Sequence, residues 1–453
     1  MKHRRGDDAP TEERLDSQPA ADVLVVGGGP AGCAAAILLA RRGRRVTLVE
    51  KDRHPRFHIG ESLLPMTMPL LEELGVREQA ERLGVIKRGA DFQSSNPAGY
   101  QVFRFHRSLN PTWPYAVQIR RQDLDQLLLE AARAAGVAVR EDTLVTEVEF
   151  SDRAVVATGR NRDGAAVSFQ ARYLIDGSGR EVLLGRKLRL KKRHKTHQSA
   201  ALYAHFTGIR RREGEDAGNI SIYRVADGWV WVIPLPGDIT SIGLVCGPYS
   251  MRQRGGDSAG FLRRTLASIP DLAERLDTPR IVGHLEATGN YSYQCSRLAG
   301  PRWIMAGDAA AFVDPIFSSG VHVALYSGMQ AARLVDAVLV QPQLERPLQR
   351  RYTREQKAGL RRVSWFIIRF NTPIMRRLFA NPSNSWRIEE AIISMLAGDL
   401  YRDQGIRWRL RLFKLIYALS CIKDLPGAML GVGRLRRRAR EHFLTDPAHP
   451  EPP

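Results

Sequence analysis

Cysteine is scarce in this sequence. The four present, Cys33, Cys246, Cys295 and Cys421, form no CxxC and no metal-ligand spacing, which argues against both a disulfide framework and a zinc site. No metal is expected, and a reducing cytoplasm is the expected setting. An apolar leader is also lacking. Residues 1–20 are polar and charged, so they read as a solvated tail rather than a signal peptide. Nowhere do 18 uncharged apolar residues follow one another, so a membrane-spanning helix is not expected. Acid is short relative to base, 48 Asp and Glu against 68 Lys and Arg, a net charge of +20, and a field of that size favours encounter with anionic partners. The excess is regional: residues 341–453 hold 22 Lys and Arg against 10 Asp and Glu, more than half of the surplus. Within them, 405–423 (GIRWRLRLFKLIYALSCIK) mixes cations with Trp, Leu, Phe and Ile, and 434–440 (RLRRRAR) is a compact cationic run. The plain expectation is a helix packed on the body with a solvated basic face; docking of an acidic partner and membrane-surface association are the alternatives, the last not favoured. No nucleic-acid motif accompanies the charge, so no nucleic-acid partner is expected.

Hydrophobic residues make up 43% of the chain, enough at this length to bury the cores of two or three domains. Residues 22–26 (DVLVV) are a short apolar, β-branched run. They lead into Gly27, Gly29 and Gly32 in GxGxxG spacing and then into a helix-forming stretch, 31–42, that opens on Ala31. Glycines there close the turn tightly, bring backbone N–H groups up to a pyrophosphate and let helix pack on strand, while the helix N-terminus favours negative charge. A second strand, 45–49 (RVTLV), ends at Glu50, where a carboxylate can take ribose hydroxyls, with Lys51 beside it. This pattern alone does not separate FAD from NAD.

Two later segments do. Residues 173–180 (YLIDGSGR) are a strand ending in Asp-Gly, and 303–310 (WIMAGDAA) another ending in Gly307-Asp308. With these the chain resembles the aromatic-hydroxylase-like FAD-binding flavoproteins. The resemblance implies that Asp308 binds the ribityl chain of FAD and that Arg121, in 121–125 (RQDLD), contacts the flavin.

Three further segments choose a chemistry. Residues 228–234 (GWVWVIP) resemble the WxWxIP signature of flavin-dependent halogenases. Alternate strand residues share a face, so Trp229 and Trp231 stand side by side while Val230 and Val232 face the other way. Residues 312–321 (FVDPIFSSGV) resemble the FxxPxxSxG segment of the same family. The resemblance places a halide at Ser319 and Gly320 and flavin contacts at Gly320 and Val321, ahead of a helix over 322–340. It also places Phe317 and Ser318 at the substrate pocket. Where tryptophan halogenases carry a glutamate this chain has Phe317, which moves the resemblance towards halogenases of phenolic or pyrrolic groups, several acting on substrates tethered to carrier proteins. Lys87 falls about 25 residues after 60–65 (GESLLP), the position of the family's active-site lysine, and strand alternation turns its neighbour Arg88 away. Glu61 is a candidate for the acceptor of the ring proton.

The resemblance implies an enzyme that takes FADH2 from a separate flavin reductase and uses O2 with chloride or bromide. By way of a flavin hydroperoxide and hypohalous acid it would halogenate an electron-rich aromatic substrate, free or carried on an acidic acyl or peptidyl carrier protein. The same scaffold also serves NAD(P)H-dependent monooxygenases and polyprenyl-type reductases. The expected fold class is α/β: a Rossmann-like FAD-binding domain, a β-sheet substrate domain and a helical C-terminal region. The expected divisions are a tail over 1–20, the FAD-binding domain over 21–185 and 291–340, the substrate-side sheet over 186–290, with strands at 201–206 and 241–245, and a basic, mostly helical region over 341–453 broken at Pro373 and Pro382. Residues 187–195 (KLRLKKRHK) add a second basic patch.

Overall fold

The computed structural model describes residues 20–423, apart from 94–98, 110–112, 194–198, 290–291, 381–383 and 403–404. The cationic run 434–440, Pro382, His194 and Lys195 therefore lie outside the described residues. The run 22–26 forms the strand Ala21–Val26, buried along nearly its whole length. It lies between two parallel neighbours, Val46–Val49 and Ala166–Asp176. Trp303–Met305 pairs parallel with the latter and Ala138–Arg140 parallel with Val46–Val49, so both Asp-bearing strand ends come to the same edge as the Gly-rich turn. The uninterrupted apolar runs follow from burial on both faces, as in parallel sheets generally. One cover is the helix Pro30–Ala40, buried from Pro30 to Leu39.

That helix packs against a second one, Gly320–Val340, which begins two residues before the expected 322. Gly328 makes the approach possible: a Cβ there would stand 2.2 Å from the Ala31 carbonyl oxygen. By length and composition alone Gly320–Val340 is apolar enough to cross a membrane. Its apolarity is that of a core helix. Val321, Leu325, Met329, Leu334 and Val335 are buried in the protein, and its charged residues pair across the domain, Asp336 with Arg42 and Arg44 and Arg333 with Glu73.

The expected antiparallel strands form Ala200–Ile209 and Ile239–Cys246, paired with each other in a seven-stranded sheet. The sheet extends beyond 186–290. Its strands run in the order Leu276–Gly289, Ala200–Ile209, Ile239–Cys246, Gly228–Leu235, Ile220–Val225, Gly89–Gln93, Tyr100–Arg104, the last two drawn from the N-terminal segment. Every residue of Gly228–Leu235 is buried, because both faces are covered. Val230 and Val232 pack with Leu262, Leu266 and Leu272. Trp229, Trp231 and Ile233 face a layer holding Phe366, Phe370 and Phe379. That layer is the C-terminal region: helices Glu345–Arg369, Pro373–Ala380, Ile388–Leu396 and Ile406–Lys423. Pro373 starts the second of them, where its missing N–H is harmless. In the second basic patch, Lys191–Arg193 is a short strand paired with Tyr293–Cys295, and Lys187 pairs with Glu147.

Candidate active site

A cavity of about 780 Å³ runs from the Gly-rich turn to the seven-stranded sheet. At one end it is shaped by backbone. Gly27 holds φ +104°, and a Cβ there would meet the Gly177 carbonyl oxygen at 2.2 Å; one on Gly32 would meet the Gly27 carbonyl oxygen at 1.8 Å. Neither position admits a side chain. Gly29, the residue before the helix, has nothing within 4 Å of where its Cβ would be, so a ligand can approach the helix N-terminus closely. Glu50 is buried on the cavity wall. Its Oε2 accepts from the Gly28 N–H at 2.6 Å and its Oε1 from the Asp52 N–H at 2.9 Å, so it orders the turn as well as facing the ligand. Lys51 lines the cavity and pairs with Glu181 at 2.9 Å. Ala31, Val321 and Gly320 complete the wall.

Further along, the Arg121 guanidinium donates twice to Asp125, at 2.9 Å each, and once to the Ile59 carbonyl at 3.0 Å. These three hydrogen bonds hold it in place. Asp308 opens on the cavity but is otherwise enclosed by protein. Burial pushes its carboxyl up to about 6, with Arg121 and Arg180 pulling the other way. A cavity with a side-chain-free turn and helix N-terminus at one end and the carboxylates of Glu50 and Asp308 on its wall suits FAD.

At the sheet end, Trp229 and Trp231 line the cavity with ring centroids 5.7 Å apart. Each indole is anchored by its N–H, Trp229 to Asp314 Oδ1 at 3.1 Å and Trp231 to Ser241 Oγ at 3.2 Å. Ser318, on the wall, takes a left-handed backbone with φ +55° that turns the chain into the helix at Gly320.

Lys87 is not itself on the wall. It ends the strand Val85–Lys87, is 1% exposed, and its Nζ donates to Ser62 Oγ at 2.8 Å and to the Leu63 carbonyl at 3.1 Å. Ser62 lines the cavity, so one side chain separates the amine from it. Burial draws Lys87 down to about 7, while the carboxylate of Asp91 pulls it upward. Arg88 is exposed, as alternation requires.

Two placements differ from the sequence reading. Phe317 does not face the cavity: it closes the short 3₁₀ turn Pro315–Phe317, and its ring packs edge-on against Phe370, 5.7 Å away. A 3₁₀ turn lacks strand alternation, so Ser318 faces the cavity while Phe317 joins the helical layer behind. Ser319 also lies off the cavity lining, leaving Pro315, Ser318 and Gly320 as its wall residues in that loop. The sequence reading missed Ser62 and His205. His205 Nε2 lies 2.7 Å from Glu61 Oε1, whereas Glu61 Oε2, buried on the cavity wall, has no hydrogen-bond partner among the described residues. Glu61 and His205 are 144 residues apart, so only period-2 alternation on 200–209, which puts His205 beside Tyr203 and Ala201, could have hinted at it.

Residues 20–363 match the FAD binding domain family. The chain is 35% identical to the flavin-dependent halogenase armH2 of Armillaria mellea over 342 residues, 70% of this chain and 65% of that protein; it thus spans just under two thirds of that relative's length. It is 30% identical to the 1H-pyrrole-2-carbonyl-[peptidyl-carrier protein] chlorinase of Pseudomonas fluorescens, over 70% of this chain and 76% of that one. Among solved structures, the flavin-dependent halogenase CmlS superposes with a TM-score of 0.75 at 28% identity, over 90% of this chain and 79% of that chain. The family match, these relatives and the cavity agree: this chain is an FAD-binding enzyme belonging to the flavin-dependent halogenases.

Proposed function

We propose that this chain uses O2 and chloride or bromide to halogenate an electron-rich aromatic substrate, with FAD reaching it already reduced by a separate flavin reductase. The observation that carries this reading is the buried Lys87, held one side chain behind the wall of a cavity that is otherwise built for FAD. Reduced FAD, when bound, supplies the electrons that activate O2 and so allow a halide to be oxidised.

The chain's own residues divide the remaining work. Gly27 and Gly29 admit the pyrophosphate, Glu50 takes the ribose, and Asp308 with Arg121 holds the middle of the cofactor. Trp229 and Trp231 fill the space where water or a bulky substrate would otherwise meet the flavin. Backbone N–H groups of the Ser318–Gly320 turn, at a helix N-terminus, suit a halide. Lys87 Nζ, released from Ser62 or through it, donates a hydrogen bond to hypohalous acid and holds the halogen for attack by the ring. As the ring carbon takes the halogen, the oxygen leaves with a proton as water, and the displaced ring proton goes to a base. Glu61 Oε2 supports that role, since it is a buried carboxylate oxygen with no hydrogen-bond partner among the described residues.

The carrier-tethered version of the substrate rests on the pyrrole-carrier-protein chlorinase relative and on the basic surface. The Phe317 side chain no longer supports it. The reading is tested with FAD, bromide, O2 and an external NADH-driven flavin reductase, following brominated product on free phenolic or pyrrolic compounds and on the same groups loaded on a carrier protein. Product that requires the reductase and halide is expected; equal turnover of free and loaded substrate would rule out the carrier version alone.

A further inference from the structure

The helix Ile406–Lys423 carries two apolar faces instead of one. Ile406, Leu410 and Phe413 are buried, with Tyr417 packed beside them, against the helical layer that covers the tryptophan face of the sheet. At about 100° per residue these side chains share one side. On the opposite side, within about 60° of arc by the same rule, stand Trp408, Leu415, Leu419 and Ile422, exposed by 44%, 55%, 56% and 62%. Such a row is not the scatter of single apolar residues that any surface shows. It is prolonged by Trp386, 70% exposed, whose ring lies 6.5 Å from that of Trp408. Trp386 and Arg387 hold left-handed backbone, φ 61° and 59°; such a conformation is costly for residues with side chains and here leaves the indole outside the fold.

Cations flank the row. The helix bears Arg407, Arg409, Arg411, Lys414 and Lys423 and not one Asp or Glu. Arg409 lies over the Trp408 ring at 4.3 Å and donates to the Trp386 carbonyl at 3.0 Å. On the preceding helix, the carboxylates Glu389 and Glu390 are paired with Arg107 and Arg387, so they do not offset this charge. Residues 424–453, outside the described residues, continue with five arginines in 434–440.

We propose that this face docks on an anionic lipid surface, with the helix lying in the plane of the headgroups. From Trp408 to Ile422 the row is a ridge roughly 21 Å long. A ridge suits a deformable interface better than a rigid partner, which would need a matching groove. Tryptophan is the side chain most at home at the headgroup level, with cations beside it to meet anionic lipid. Like charge on both flanks opposes pairing with a second copy of the chain. The reading owes nothing to the active site and stands whatever the substrate is.

The test is flotation of the full chain with vesicles of phosphatidylcholine alone and of phosphatidylcholine with phosphatidylglycerol. Binding to the anionic vesicles is expected, weaker at high salt, and reduced roughly ten-fold or more in Leu415→Glu/Leu419→Glu. Both sites are exposed, so the variant's thermal unfolding should match that of the parent. A second variant, Trp386→Ala/Trp408→Ala, should also weaken binding without altering FAD content. Failure to float with anionic vesicles overturns the proposal. So does binding that salt abolishes but neither variant changes, which would be charge alone. Protection of Leu415 and Leu419 by an acidic carrier protein, by a second copy or by residues 424–453, in place of lipid, overturns it equally.

Discussion

The two ends of the cavity are built on different principles. The turn end is made of backbone: Gly27 and Gly32 stand where any side chain would collide, Gly29 leaves the approach to the helix open, and the charge presented there comes from a helix terminus. The sheet end is made of side chains brought from distant parts of the chain, Ser62 and Lys87, Trp229 and Trp231, His205 and Glu61. In the proposed reading, the first end holds a cofactor common to many reactions and the second selects among them. Substitutions at the two ends should therefore separate binding from chemistry.

The largest effect is expected at the turn. Gly32→Ala puts a Cβ 1.8 Å from a backbone oxygen, so strand and helix must part, at or above the roughly 1–3 kcal/mol of an overpacked core. Purified protein should carry no flavin and melt early, as read by absorbance and calorimetry. Lys87→Ala should do the converse, retaining FAD while the halogenation rate falls roughly 10²–10⁴-fold. Phe317→Ala sharpens the contrast from behind the wall. Loss of its packing on Phe370 should cost about 3–5 kcal/mol in unfolding experiments and leave the substrate KM unchanged.

A smaller effect concerns pH. The Lys87 amine titrates at about 7 in the folded protein and near its ordinary value of about 10.4 in the unfolded chain. Between those limits the unfolded state binds the extra proton, so stability should rise with pH from about 7 to about 10.4, by a few kcal/mol at most. Lys87→Met should flatten that slope in urea titrations at a series of pH values. Smallest of all is Lys51→Ala. Its exposed ion pair with Glu181 is worth about 0–1 kcal/mol, so FAD affinity should fall only a few-fold by fluorescence titration.

What could be read beforehand follows the same division. Gly27, Gly29, Gly32 and Glu50 were legible because the turn is local, its geometry set by residues within one strand-turn-helix. The tryptophan wall was legible because strand alternation is local too. Lys87 was visible only through its distance from 60–65, and its separation from the cavity by Ser62 was not, since that depends on pairing between Val85–Lys87 and Ala116–Gln118. Phe317 was misplaced because a 3₁₀ turn and one left-handed serine change which residue faces inward. The strands Gly89–Gln93 and Tyr100–Arg104 were not foreseen in the second sheet, as the first pairs with Ile220–Val225, some 130 residues later, and the second joins only through the first. The helices after 341 could be anticipated, but not that Phe370 and Phe379 would pack on Phe92.

The most direct test is a comparison of parent and Lys87→Ala, each saturated with FAD, given an external flavin reductase, O2 and bromide, with a halogen-trapping dye as readout. The account predicts trapped halogen from either protein only when the reductase is present, since Lys87 acts after hypohalous acid has formed, and, with a phenolic substrate supplied, brominated product from the parent but roughly 10²–10⁴-fold less from the variant despite equal FAD content. Oxidation of NADPH by the parent alone, with no halogen trapped in either protein, would contradict it and point to a monooxygenase or reductase on the same fold.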